Sequence, residues 1–107
     1  MIQISIIRHN NEYSQIKAFG HAEYDDYGKD IICAAVSVLI INTANSLEKF
    51  TDDLIMAETH EDGTTEILLK EHPSKEAVLL IDSLILGLEG IRNQYGKKYL
   101  SVDYKEV

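Results

Sequence analysis

His21 and Cys33 are the two side chains of this sequence whose types and spacing favour catalysis. A thiol at its ordinary pKa of about 8.5 is only slightly ionised at neutral pH, so a nucleophilic cysteine needs a base that removes its proton. His21 is the nearest histidine, and the segment between the two is long enough to fold back on itself. The pair predicts acyl transfer in which Cys33 attacks a carbonyl carbon and His21 acts as general base and then as general acid.

The expected position of Cys33 is the first turn of a helix. Asp30 is a favourable N-cap residue because its carboxylate accepts hydrogen bonds from the free amides of a first turn. With Asp30 as the cap, Cys33 is the third helical residue, where free amides and the helix dipole favour a thiolate. The same amides are predicted to hold the oxyanion of the reaction.

Asp30, Ser37, Gly20 and Gly28 are predicted to support the pair, and each has a simpler alternative. Asp30 either orients His21 or is a plain helix cap. Ser37 lies one helical turn beyond Cys33 on the same face, or it only bonds back to its own helix. Gly20 and Gly28 either let the intervening loop open for a substrate or are ordinary turn residues. Cys33 itself has the alternative of inert packing in a core.

The remaining histidines do not predict a metal site. His9, His60 and His72 are scattered singly, without partners four residues away on a helix. A lone cysteine forms neither an internal disulfide nor a zinc site built from several thiolates. We therefore expect no metal and no other cofactor.

The pattern of apolar residues predicts five strands. Alternation at Ile2, Ile4 and Ile6, followed by Asn10-Asn11, indicates a hairpin whose second strand covers residues 13–19. A second hairpin is predicted from residues 54–60 and 64–70, with Asp62-Gly63 at its turn. The last strand covers residues 99–105, with alternate side chains on one face.

Two helices are predicted between these strands. The first runs from Asp30 to about residue 50 and is apolar around most of its circumference, so we expect it to lie buried against the sheet. The second runs from a cap at Ser74 to Gly96. Its internal Gly87 and Gly90 suggest a close approach of another backbone, within the fold or across a dimer. The order ββαββαβ predicts a single α+β domain over residues 1–107, mostly antiparallel sheet with two helices packed on it.

Composition excludes several classes of protein. The chain has 107 residues and a formal charge of −8, which disfavours direct binding to nucleic acid and favours encounter with a basic peptide. No run of about 18 consecutive apolar residues is present, and the first residues lack the pattern of a signal peptide. We expect a cytoplasmic protein that does not bind a membrane.

The run GHAEYDDYGKDIICAAVSVLI, residues 20–40, resembles the signature of the ribosomal-processing cysteine protease family called Prp. The resemblance combines Gly-His-Ala, an acidic loop with tyrosines and Asp-x-x-Cys-Ala-Ala-Val-Ser at the family's spacing, and it extends over the whole chain. It implies that His21 and Cys33 are a catalytic dyad. The motif aspartate and serine fall on Asp30 and Ser37. At Glu23 some relatives have a glycine, which leaves both dyad positions intact.

The resemblance also implies a substrate and an assembly state. Members of this family remove a short N-terminal extension from the precursor of large-subunit ribosomal protein twenty-seven, and they are small homodimers. Two other readings of the residues remain open. One is a non-catalytic, ribosome-associated assembly module that binds a basic tail through its acidic surface. The other is a redox-sensing thiol, for which a lone cysteine lacks a resolving partner.

Overall fold

A computed structural model describes residues 1–20 and 27–107 of the chain, with the side chains of all of these except residues 27–30. The described elements form one five-stranded sheet and two helices in the predicted order ββαββαβ. They are β1 (Ile2–His9), β2 (Glu12–Phe19), α1 (Tyr27–Phe50), β3 (Ile55–Thr59), β4 (Thr65–Leu69), α2 (Lys75–Tyr95) and β5 (Leu100–Glu106). The predicted α+β class with a mostly antiparallel sheet is confirmed.

The strands lie in the spatial order β3-β4-β2-β1-β5. All neighbouring pairs are antiparallel except β1 and β5, which are parallel. The register places one apolar set on a single face: Ile6 lies opposite Ile16, and Ile16 lies opposite Ile67. These three side chains are fully buried in the core, so the period-2 alternation identified the inner face correctly.

Both predicted hairpins are present. Asn10 and Asn11 have positive φ angles of 52° and 62°, the backbone conformation that the tightest hairpin turns require. In the second hairpin Gly63 has a φ of 88°, and the Gly63 amide donates to the His60 carbonyl at 3.0 Å. The pairing of β3 with β4 extends by one backbone hydrogen bond at each end. The Lys70 amide donates to the Leu54 carbonyl, and the His60 amide donates to the Thr64 carbonyl.

Helix α2 has the predicted ends. The Ser74 side chain accepts from the Ala77 amide at 3.1 Å, and Gly96 ends the helix with a φ of 102° while its amide donates to the Arg92 carbonyl. The prediction for its internal glycines is only partly right. A Cβ at Gly87 would lie 3.0 Å from the Leu39 side chain of α1, whereas Gly90 has no such neighbour within 4 Å among the described residues. The close contact at Gly87 is therefore with a side chain rather than a backbone.

Helix α1 contributes one buried row to the core, formed by Ile32, Val36, Ile40 and Leu47. Its opposite side is exposed, with Val38 65% and Ile41 52% accessible, so the expectation that α1 lies buried against the sheet holds for one side only. Within the described residues, the segment Ile31–Phe50 is the one helical stretch with the length and apolar composition to cross a bilayer. The core helix of a soluble protein meets the same criterion, and this helix supplies a core row.

Two tyrosines of the sheet hydrogen-bond to acidic residues of α2. The Tyr13 hydroxyl donates to Asp82 at 2.5 Å, and the Tyr104 hydroxyl donates to Glu89 at 2.7 Å. Burial, the hydrogen bond and the nearby negative charge raise the pKa of each phenol to about 12. These contacts join β2 and β5 to the helix that lies across them.

Candidate active site

Cys33 lies in α1, but one turn later in the helix than the sequence predicts. The helix begins at Tyr27, so Cys33 is its seventh residue. The amides that lack an intrahelical acceptor belong to the first turn, and Cys33 lies beyond it. The prediction that Asp30 caps the helix is therefore wrong, as is the inference that free first-turn amides surround the Cys33 thiol. Capping preference favours a start at Asp30, but the preceding Tyr27, Gly28 and Lys29 are also compatible with a helix.

The same helix boundary changes the interpretation of Gly28 and Asp30. Gly28 is the second residue of α1, so its predicted position in a loop is wrong, while a hinge role for it stays a prediction. Asp30 is the fourth residue of the helix. His21 and the rest of residues 21–26, including Glu23, lie outside the described residues. The predicted pairing of His21 with Cys33 thus stays a prediction.

Cys33 borders a cavity of about 300 Å³. The side chain is half-buried, unpaired with another cysteine, and packs against the core. Ser37 of α1 lines the same cavity, as predicted from its position one turn beyond Cys33. The far wall comes from the second hairpin, through Thr59, Gly63 and Thr65. The cavity therefore joins Cys33 and Ser37 of α1 to residues of the second hairpin.

Gly20 also lines this cavity, and its backbone lies very close to that of Met1. It follows directly after β2 and has a φ of 94°. A Cβ at this position would lie 2.4 Å from the Met1 carbonyl oxygen, far inside van der Waals contact, so the space admits only glycine. The residue that precedes His21 is therefore fixed against the start of β1 and beside the Cys33 cavity. A hinge role for Gly20 remains a prediction.

A second group of chemically active side chains was missed at the level of sequence. Glu58, His60 and Glu66 each offer one ligand atom, and these three atoms lie within 4.8 Å of one another. Helical spacing does not show this group, because Glu58 of β3 lies two residues before His60 and Glu66 lies on the paired strand β4. The register of β3 and β4 was the signal that would have found them, because it places Glu58 opposite Glu66.

Comparison with known proteins places this chain in a family. The family model described as cysteine protease Prp matches residues 1–100. The ribosomal processing cysteine protease Prp of Bacillus subtilis (strain 168) is 28% identical over 101 residues, which cover 89% of this chain and 90% of that protein. Its counterpart from Staphylococcus aureus (strain Mu50 / ATCC 700699) is 23% identical over 107 residues, which cover 98% of this chain and all of that protein.

Solved structures have the same fold. The crystal structure of SMU.848 from Streptococcus mutans superposes with a TM-score of 0.83 at 27% identity, covering 100% of this chain and 96% of that one. The S. aureus ribosomal processing protease Prp, solved with a substrate peptide, superposes with a TM-score of 0.89 at 22% identity, covering 98% and 100%. The fold, the motif around Cys33 and the match over residues 1–100 agree, and the chain belongs to the cysteine protease Prp family.

Proposed function

We propose that this protein is an endopeptidase that removes the N-terminal extension from the precursor of large-subunit ribosomal protein twenty-seven, with Cys33 as nucleophile and His21 as general base. The observation that carries the proposal is the half-buried Cys33 at the edge of a cavity of about 300 Å³ in a chain of the Prp family. The relatives named as ribosomal processing proteases support a ribosomal protein as substrate.

The proposed reaction is acyl transfer through a thioester. His21 takes the proton of the Cys33 thiol, and the sulfur attacks the scissile carbonyl carbon to give a tetrahedral intermediate. The intermediate collapses as the C–N bond breaks and His21 protonates the leaving amine. A water molecule, deprotonated by His21, then attacks the thioester, and the Cys33 sulfur leaves. Ser37 lines the same cavity, which supports it as a candidate supporting residue.

Charge favours the encounter with such a substrate. The chain carries a formal charge of −8, and ribosomal proteins are rich in lysine and arginine. Attraction between surface charges of opposite sign raises the association rate and falls as salt is added. We therefore expect kcat/KM for the precursor to fall with ionic strength, and kcat to change less.

The decisive experiment mixes purified protein with the purified precursor and follows the intact mass of the precursor. Wild type is expected to release the N-terminal extension, and Cys33→Ser and His21→Ala are expected to leave the precursor intact. Ser37→Ala is the matched variant from the same cavity, and we expect it to retain cleavage at a reduced rate. Cleavage by Cys33→Ser would refute the assignment of the nucleophile. An uncleaved precursor with wild type would instead favour the non-catalytic assembly module.

We also propose that the protein is a cytoplasmic homodimer. Each helix carries an exposed apolar row, represented by Val38 on α1 and by Leu79 and Leu86 on α2. Exposed apolar residues in such number are typical of a surface that is covered by another chain. Light scattering is expected to give about twice the chain mass of 12.1 kDa, and Val38→Glu or Leu86→Glu is expected to give the monomer. A monomeric wild type would refute the dimer.

A further inference from the structure

The second hairpin brings three potential metal ligands together on one side of the sheet. Glu58 of β3 and Glu66 of β4 are direct cross-strand partners, and His60 follows β3 in the turn. The Nε2 atom of His60 lies 3.2 Å from Oε1 of Glu66 and 3.7 Å from Oε2 of Glu58. Ligand atoms about 2.0–2.1 Å from a tetrahedral zinc ion are about 3.3 Å apart, so this spacing is close to that of a coordination shell.

Charge explains why a cation suits this position. Two carboxylates directly opposite each other on neighbouring strands repel and destabilise the pair. A divalent ion between them removes that repulsion and uses the lone pair of His60. Imidazole and carboxylate together are ligands typical of zinc and the neighbouring transition metals, whereas calcium and magnesium prefer oxygen alone.

A neighbouring side chain and burial hold the Glu66 side chain in place. The Gln15 side chain donates to Oε2 of Glu66 at 2.9 Å, which leaves Oε1 on the side of His60. The Glu66 side chain is only 14% exposed, so its orientation is restricted. Hydrogen bonds of this kind to a ligating carboxylate fix its direction and strengthen metal binding.

The backbone of the turn fixes His60 itself. Its amide donates to the Thr64 carbonyl at 2.7 Å, and its carbonyl accepts from the Gly63 amide at 3.0 Å. The Asp62 side chain also accepts from the Thr64 amide at 2.9 Å. The loop between the two strands is therefore closed by three hydrogen bonds, and the imidazole starts from a defined position.

We propose that Glu58, His60 and Glu66 bind one divalent transition-metal ion of the zinc class, with water in the remaining coordination position. The site is separate from Cys33. Its residues, however, alternate along β3 and β4 with residues that line the Cys33 cavity. Thr59 lies between Glu58 and His60, and Thr65 precedes Glu66; both threonines line that cavity. A bound ion joins β3 to β4 at the wall of the cavity and stabilises the hairpin there.

The test measures Zn²⁺ binding by isothermal titration calorimetry to the full chain, in a Cys33→Ser/His21→Ala background that removes the two proposed catalytic residues as competing ligands. One equivalent is expected to bind. His60→Gln and Glu66→Gln are each expected to weaken binding by about tenfold or more, since even the loss of an outer partner of a ligand costs about that much. His72→Gln is the matched control, because His72 also pairs with a glutamate, Glu12, at 2.5 Å. It should leave the affinity unchanged.

Two further measurements keep the result independent of folding. Circular dichroism establishes that each variant is folded before titration. Co²⁺ in place of Zn²⁺ is expected to give a visible absorption band with wild-type ligands and none with His60→Gln. The proposal is overturned if Zn²⁺ shows no saturable binding, if His60→Gln binds as tightly as its parent, or if His72→Gln weakens binding equally, which indicates general attraction to an acidic surface.

Discussion

Gly20 offers the sharpest test of the geometry beside Cys33. The perturbation is Gly20→Ala, and its matched control is Gly96→Ala. Both glycines have nearly the same positive φ, 94° and 102°. They differ in their surroundings: a Cβ at Gly20 would lie 2.4 Å from the Met1 carbonyl oxygen, whereas a Cβ at Gly96 would meet no atom within 4 Å in the described part of the chain. The difference in stability between the two variants therefore includes the close approach at Gly20.

The magnitude follows from two contributions. Backbone strain for alanine in a conformation that favours glycine costs about 1–3 kcal/mol, and this applies at both positions. Overpacking against a backbone atom adds about 1–3 kcal/mol at Gly20 only. Met1 has little freedom to move away, because the next residue, Ile2, donates its amide to the Tyr99 carbonyl at 3.0 Å and begins β1. Gly20→Ala should be less stable than Gly96→Ala by about 1–3 kcal/mol.

The assay is urea unfolding of both variants and wild type, followed by circular dichroism. We expect the midpoint to fall in the order wild type, Gly96→Ala, Gly20→Ala, with the slope unchanged. Cleavage of the precursor, measured where both variants are fully folded, should fall further for Gly20→Ala because Gly20 lines the Cys33 cavity and precedes His21. Equal midpoints for the two variants would refute the close approach to Met1.

Three other predictions concern the core, a helix end and the tyrosines. Leu88→Ala should cost about 2–5 kcal/mol of unfolding free energy because this side chain is fully buried, whereas Leu54→Ala at an exposed position should cost far less; similar urea midpoints would contradict the packing. Ser74→Ala should cost about 1 kcal/mol and lower the thermal midpoint, while Ser74→Gly costs only a few tenths; an unchanged midpoint for Ser74→Ala would exclude the cap. Tyr13 and Tyr104 should ionise near pH 12 in absorbance titration at the tyrosinate band, later than ordinary tyrosines. Both folded-state pKa values are raised above the ordinary value of about 10, so the stability that the two tyrosines contribute is present below pH 10 and is lost between about pH 10 and 12. In the absorbance titration, Tyr13→Phe and Tyr104→Phe should each remove one ionisation near pH 12.

Local patterns were sufficient for most of the element boundaries. Alternating isoleucines identified β1 and its inner face, Asn10-Asn11 marked the turn, and Ser74 and Gly96 marked the ends of α2. These features depend on neighbours a few residues apart, through the strand period, turn conformation and capping. A sequence displays such relationships directly. The spacing of Cys33 from the other residues of the family signature is also a local feature, which the sequence displays directly.

The start of α1 was not determined locally. A good capping residue at Asp30 is one favourable choice among several, and the helix begins three residues earlier at Tyr27. This shift moves Cys33 from the first helical turn to the second and removes the free amides from its neighbourhood. The exposed row at Val38 was missed for a related reason: an apolar helix does not specify which of its sides finds a packing partner.

Two arrangements in this protein were decided only by tertiary structure. The cavity beside Cys33 is lined by residues of α1 and by Thr59, Gly63 and Thr65 of the second hairpin. These two segments are distant in sequence and meet only in the folded structure. The group of Glu58, His60 and Glu66 depends on the register between β3 and β4. A shift of this register by one residue would separate the three side chains. The sequence by itself predicted Cys33 as a candidate nucleophile and determined the order of the elements, because both depend on local spacing. The shape of the site and its second set of ligands arise from contacts between distant segments.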